Sequence, residues 1–222
     1  MFSVGNVQTS TTPEAPVNNI MLFYDFTDFD YFGPGFTNAP DFNYDFNEPL
    51  FRIQYESPLL NIYGSFGRNL GPEKNVNFTL VGIGINAMYT FSRAEKFRVF
   101  MPLTINTDYT LARTEETQNT SNEFAQNSAY IGAGLGFQAR FNKSLRIDLK
   151  ALPHIGYTSG SFGATGGVSW KMNMTGRFYI DNLVSGFGLS FGYDFKYTRY
   201  NNNNQDLKYD LQSSGFSVGV TF

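Results

Sequence analysis

The chain contains one histidine, His154, and no cysteine, so disulfides and thiolate chemistry are excluded at the outset. His154 precedes Ser159 and Ser161, residue types that could act as base and nucleophile. Neither serine sits in a G-x-S-x-G elbow that would present it. Alternation also places His154 on the polar face shared by Arg146, Asp148 and Lys150, the inward face of its segment. Gly132-x-Gly134-x-Gly136 lies inside an alternating run, which is the wrong context for a phosphate loop and suits close packing instead. Asn201 to Asp206 has the oxygen content of a calcium loop, yet reads as a solvated connection. Neither zinc-ligand spacing nor a Walker loop occurs. The expectation is a non-enzymatic chain without metal or cofactor.

What remains is charge. Arg52, Glu56, Arg98, Asp108, Arg140, Arg146, Asp148, Lys150, Lys171, Arg177, Asp194 and Lys196 all fall on the polar faces of alternating segments. Charges withdrawn from water must be paired or hydrated. Eight of these residues are basic and four acidic, which allows either a plug of ion pairs or a narrow anion-preferring pore.

The elements that would position these charges are strands. From Ala129 to Phe141 and from Leu145 to Thr158, apolar and polar residues alternate across the turn Asn142-Lys143-Ser144. In the first run Ile131, Leu135 and Phe137 oppose Gly132, Gly134 and Gly136; in the second Ile147, Leu149 and Ile155 oppose the charged set. Such runs exceed the roughly 5–6 residues of an ordinary strand and have the form of a transmembrane β-hairpin. Similar segments occupy 50–66, 76–91, 97–111, 168–180, 187–198 and 207–222, with a tight turn expected to begin at Asp181-Asn182. Two phase shifts interrupt them. One, at Ser57-Pro58, needs a bulge or a tight turn; the other lies near Ser213-Ser214-Gly215. The expected fold is all-β, an antiparallel up-and-down transmembrane barrel of eight strands, with ten as the alternative count. Long loops follow the odd strands and short turns the even ones, which puts both termini on the short-turn side.

Mean hydropathy is slightly negative. No run of about 18 apolar residues exists, so a helical span is excluded while a barrel is not. An apolar set this large and aromatic (Phe 24, Tyr 14) would not fit inside a small barrel, so it is expected to face lipid. The rival placement, apolar side inward, would make a soluble ligand-binding barrel. The net charge of -3 conceals an asymmetry, because no Lys or Arg precedes Arg52 while Asp and Glu recur through the first 51 residues. Residues 1–49 are therefore expected to form an acidic, aromatic periplasmic segment, and 50–222 the barrel. Within that leader, residues 20–49 should either cap the mouth near Arg98 and Arg140 or dock on an envelope partner. Basic residues are dispersed, so no nucleic-acid partner is expected. Met1-Phe2-Ser3-Val4 lacks the basic start and apolar core of a secretory signal, so a barrel would be a processed form.

The last residues, Gly215-Phe216-Ser217-Val218-Gly219-Val220-Thr221-Phe222, end on Phe behind alternating apolar positions. This ending resembles the signal read by the barrel-assembly machinery in small outer-membrane β-barrel proteins of Gram-negative bacteria, the group of OmpX, OmpW and the OmpA barrel. The resemblance covers about 50–222 in pattern, and Phe216, Val218, Val220 and Phe222 carry the assembly signal it implies. Abundant Tyr, Phe and Asn resemble Bacteroidota envelope proteins. The resemblance implies an outer-membrane location, outer-membrane lipids and the assembly machinery as partners, and periplasmic termini. Some outer-membrane barrels are lipid hydrolases with Ser and His on the lipid-facing surface, a pattern from which His154 departs. The functional expectation is a structural or scaffold barrel, as an accessory subunit of an envelope complex. A porin-like channel for anions or small solutes is the alternative.

Overall fold

Alternating side chains give long strands, and these dominate the chain. The computed structural model describes residues 18–33, 42–69, 76–94, 96–114, 123–160, 166–202 and 207–222. Its strands are β1 (Asn19–Gly33), β2 (Phe42–Glu56), β3 (Leu60–Arg68), β4 (Val76–Arg93), β5 (Phe97–Thr114), β6 (Glu123–Ala133), β7 (Leu135–Arg140), β8 (Leu145–Gly160), β9 (Gly167–Val184), β10 (Phe187–Asn202) and β11 (Leu207–Thr221). Apart from β6 and β7, each pairs antiparallel with its sequence neighbours, and β1 closes the sheet on β11 from Asn19↔Thr221 to Phe32↔Lys208. β6 and β7 both lie between β5 and β8, so they are halves of one stave interrupted at Gly134. The result is a closed barrel of ten staves, the alternative count rather than the eight expected.

The two additional staves arise at the N-terminal side. Ser57-Pro58 is a turn between separate strands, not a bulge: the Ser57 amide donates to the Leu60 carbonyl at 2.7 Å, and the Leu60 amide to Ser57 Oγ at 2.9 Å. β1 is the second addition. The boundary expected at 49/50 falls inside β2, and residues 20–33 hydrogen-bond to β2 on one side and β11 on the other. A segment paired along both edges cannot fold back over a mouth or act as a free docking leader. Residues 1–17 and 34–41 lie outside the described residues.

Two further expectations change. β11 runs through Ser213-Ser214-Gly215 in unbroken register with both neighbours, so there is no phase shift in its backbone. Tyr209 and Leu211 point inward while Phe216, Val218 and Val220 point outward; the apolar residues change face because the lumen itself is apolar at that end. The turn expected at Asp181-Asn182 lies later, since β9 continues to Val184 and Ser185-Gly186 turns the chain. Both turn residues have positive φ (49° and 91°), the geometry of a two-residue hairpin whose twist suits its strands.

Glycines mark where the wall is tightest. A Cβ at Gly134 would lie 1.9 Å from the Ala151 carbonyl oxygen. Pro102 on β5 and Pro153 on β8 flank this point and have no amide to donate. The Gly134 amide still reaches the Pro102 carbonyl at 3.1 Å, which holds the two half-strands in line. Gly134→Val is expected to cost at least about 1–3 kcal/mol through overpacking, read as a lower urea midpoint of the purified barrel. An unchanged midpoint would show that the wall yields there.

The outward face is an apolar band. Ile20, Leu22, Tyr24, Phe26, Phe51 and Ile53 form it on β1 and β2, and Phe191, Tyr193, Phe216 and Val218 on β10 and β11. Aromatics collect at the short-turn end, where Tyr89, Phe91, Phe97, Phe141, Phe187 and Phe222 are all exposed. Tyr109 and Tyr157 occupy the same face toward the loop end. One row crosses five strands in register, Ile85↔Ile105↔Ile131↔Ile155↔Trp170, each 56–63% exposed. Beside this ridge runs a trough of about 740 Å³ whose floor includes Ala87, Ala133 and Pro153.

Candidate functional site

The lumen is filled in successive layers. Toward the loop end, Phe29, Tyr31, Phe46, Phe78, Phe124, Tyr200 and Tyr209 pack with Leu50, Val76 and Leu211 into an apolar core. The Phe29 ring lies 5.2 Å from Phe78, 5.4 Å from Phe124 and 5.9 Å from Tyr209, and Phe46 stacks on Phe78 at 5.2 Å. Most of these aromatics come from β1, β2, β10 and β11, strands whose two faces are both partly apolar here.

Below this core the charges meet. Arg52 is 1% exposed and anchors the layer. Its Nε and Nη2 donate to both oxygens of Asp25, at 2.7 and 3.0 Å, in a bidentate fork. Nη2 also donates to Asp194 Oδ2 at 2.9 Å and Nη1 to Gln54 Oε1 at 2.6 Å, while the guanidinium covers the Phe23 ring at 3.5 Å. Arg177 donates to the other oxygen of Asp194 and lies 5.3 Å from the same ring. Asp108 accepts from Tyr63 Oη at 2.7 Å and from the Lys171 ammonium. Lys150 reaches from β8 to Glu56 on β2 at 2.8 Å. Nearer the short-turn end, Arg146 holds Asp148 at 2.9 Å and Asp181 at 3.3 Å, and its guanidinium stacks 3.8 Å over Tyr179. Gln138 donates to the remaining oxygen of Asp148 at 2.8 Å. Across such pairs the loss of hydration is offset only because most lone pairs and guanidinium N–H groups find partners.

Of the twelve charges read from the sequence, Arg52, Glu56, Asp108, Arg146, Asp148, Lys150, Lys171, Arg177 and Asp194 join these pairs. Lys196 turns inward with its ammonium 4.3 Å from the centre of the Tyr63 ring. Arg98 and Arg140 sit apart toward the short-turn end and are half-buried; Arg98 lies 5.3 Å from the Phe100 ring and reaches Met88 Sδ at 2.8 Å. Sequence reasoning missed Asp25 and Asp181. Asp25 was assigned to the leader and Asp181 to a turn, yet both are buried ligands of arginines. An inward alternation parity at either position would have found them.

His154 lies on the lumen side, its Nε2 2.9 Å from Thr104 Oγ1 and its ring packed over Gly132. Ser159 is exposed on the opposite face of β8, so the two do not meet. Ser161 and the oxygen-rich 203–206 stretch lie outside the described residues. Among the described residues no cluster of His, Asp and Glu could hold a metal ion. The outer trough is bordered mainly by apolar residues, with Asn86, Thr104 and His154 also among its lining; His154 is buried there with its Nε2 against Thr104 Oγ1.

No family profile and no curated protein matches the sequence. Among solved structures, the outer membrane protease OmpT of Escherichia coli is similar at 9% identity, covering 95% of this chain and 98% of its own, with a TM-score of 0.48. The translocator domain of the autotransporter NalP from Neisseria meningitidis is similar at 7% identity, covering 92% and 88%, with a TM-score of 0.36. Ail, the attachment invasion locus protein of Yersinia pestis, shows 10% identity over 92% and 99%, with a TM-score of 0.26. These likenesses carry no weight for activity. The closed hydrogen-bonded ladder and the two unlike faces of its strands carry the reading that follows.

Proposed function

We propose that this chain is a bacterial outer-membrane barrel with a structural or scaffold role, non-enzymatic and not a pore. A barrel with its apolar residues outside, aromatics toward the band's edges and ion pairs within suits a bilayer and not water. A soluble ligand-binding barrel would need the reverse arrangement. The observation that carries the scaffold reading is the filled lumen, where the aromatic core and the Arg52 and Arg146 layers occupy successive levels. The first and last described residues lie together at the short-turn end, where the Asn18 and Phe222 backbones exchange hydrogen bonds at 3.2 and 3.1 Å. That end is periplasmic in this reading, and the outward row Phe216, Val218, Val220 and Phe222 is what the assembly machinery would engage. Kinship with the OmpX, OmpW and OmpA-barrel group and a Bacteroidota source belong to the same proposal.

The scaffold role predicts that the purified protein, reconstituted in a planar bilayer, gives no unitary conductance steps. Reproducible steps with anion selectivity would replace it with the channel reading, to which the inward cations lend chemistry. An envelope partner remains part of the proposal. It would have to meet the wall or the loops, because residues 20–33 are committed to β1.

A further inference from the structure

We propose that the lumen binds a small monovalent anion of chloride size in the void beside Lys196. The void, of about 30 Å³, lies between the aromatic core and the Arg52 layer. Lys196 borders it with the hydroxyl-bearing residues Thr27, Ser65, Thr110, Thr198 and Ser213, and Phe78 and Tyr209 close it toward the loops. A space of this size admits one or two water-sized bodies. Sulfate, phosphate or an organic carboxylate would not fit.

Charge balance selects the occupant. Asp25 and Asp108 also border the void, but neither is available to Lys196. Asp25 is taken by both prongs of Arg52, Asp194 by Arg52 and Arg177, and Asp108 by Lys171 and Tyr63. With the Lys150–Glu56 pair beside Arg177 included, this level carries Arg52, Lys150, Lys171, Arg177 and Lys196 against Asp25, Glu56, Asp108 and Asp194, one positive charge in excess. Lys196 makes neither an ion pair nor a hydrogen bond among the described residues; its ammonium sits on the face of Tyr63 and feels the already paired Asp194 and Asp25 only from beyond contact. The compensating carboxylates, Asp148 and Asp181, are held by Arg146 farther along the barrel. Register places Asp148 beside Arg177 and Gly192, four residues along β10 from Lys196, roughly 14 Å at about 3.4 Å per residue. An ammonium withdrawn from bulk water without a counter-charge is costly. Water in the void would hydrate Lys196 but leave the excess charge, whereas a halide ion accepts from the ammonium and the hydroxyls and neutralises the layer.

The inference goes beyond the scaffold reading and does not depend on it, since halide binding and conductance are separate measurements. Thermal unfolding of the detergent-purified barrel in sodium chloride or bromide is compared with sodium gluconate at equal ionic strength. The expected result is a Tm higher by about 2–4 °C in the halides, with the difference lost in Lys196→Met. Crystals grown in bromide should show an anomalous peak in the void beside Lys196. An equal halide response in Lys196→Met, or a void that holds only water in the bromide crystal, overturns the proposal. If Lys196→Met does not fold, Thr198→Val keeps the lysine and removes one hydroxyl; it should weaken the halide response, and the wild-type bromide map decides independently of either variant.

Discussion

Arg52→Met is expected to destabilise the barrel by about 3–5 kcal/mol, the cost of breaking a buried ion pair by removing one partner. Arg52 is the hub of its layer. Without it Asp25 loses both of its charge-assisted hydrogen bonds, Asp194 keeps only Arg177, and Phe23 loses the guanidinium packed against it. Methionine fills much of the volume, so the loss reports on charge more than on cavity formation. Urea unfolding in lipid vesicles measures it. Adding Asp25→Asn should recover part of the loss, because the stranded carboxylate is then neutral and the two positions are coupled. A change below about 1 kcal/mol, with no recovery in the double variant, would mean that the lumen is wet enough to screen the pair as a surface pair is screened.

Leu103→Arg and Leu149→Arg are each expected to cost about 2–4 kcal/mol in a bilayer, the penalty for a cation at midplane depth on the lipid face. Both side chains point outward, 37% and 49% exposed, Leu103 near the middle of the apolar run of β5 and Leu149 five residues into β8. In a water-soluble barrel the same exposed positions would change stability by no more than about 0.5 kcal/mol, because arginine there meets solvent. The magnitude thus separates the membrane reading from its soluble rival. Thr104→Arg supplies the contrast. Its side chain points inward and its hydroxyl contacts His154, so the variant fails by crowding and not by lipid exposure. Its cost should not depend on bilayer thickness, whereas that of the outward pair should.

The strands at 97–111, 145–158 and 187–198 were legible because one face there is apolar and the other polar, and period-two alternation is visible only when the faces differ. For the same reason the inward set Arg146, Asp148, Lys150, Lys171, Arg177, Asp194 and Lys196 could be named from the sequence, as could the outward band of Leu103, Leu149 and Phe191. Alternation failed where both faces are apolar. In β1, Phe23, Phe29 and Tyr31 face the lumen while Leu22, Tyr24 and Phe26 face outward, so the segment reads as an irregular aromatic leader. Tyr209 and Leu211 mimicked a phase shift in β11 by the same effect.

Which acid meets which base is decided elsewhere. The pairing of Arg52 with Asp194 spans 142 residues and exists only because β1 closes the sheet on β11. Residue type and parity along the chain determined that these charges lie inside. Strand number, and with it the stagger of the closed ladder, decided that Arg52 lies between two aspartates and that Lys196 pairs with none, because only closure fixes the distance between side chains from opposite ends of the chain.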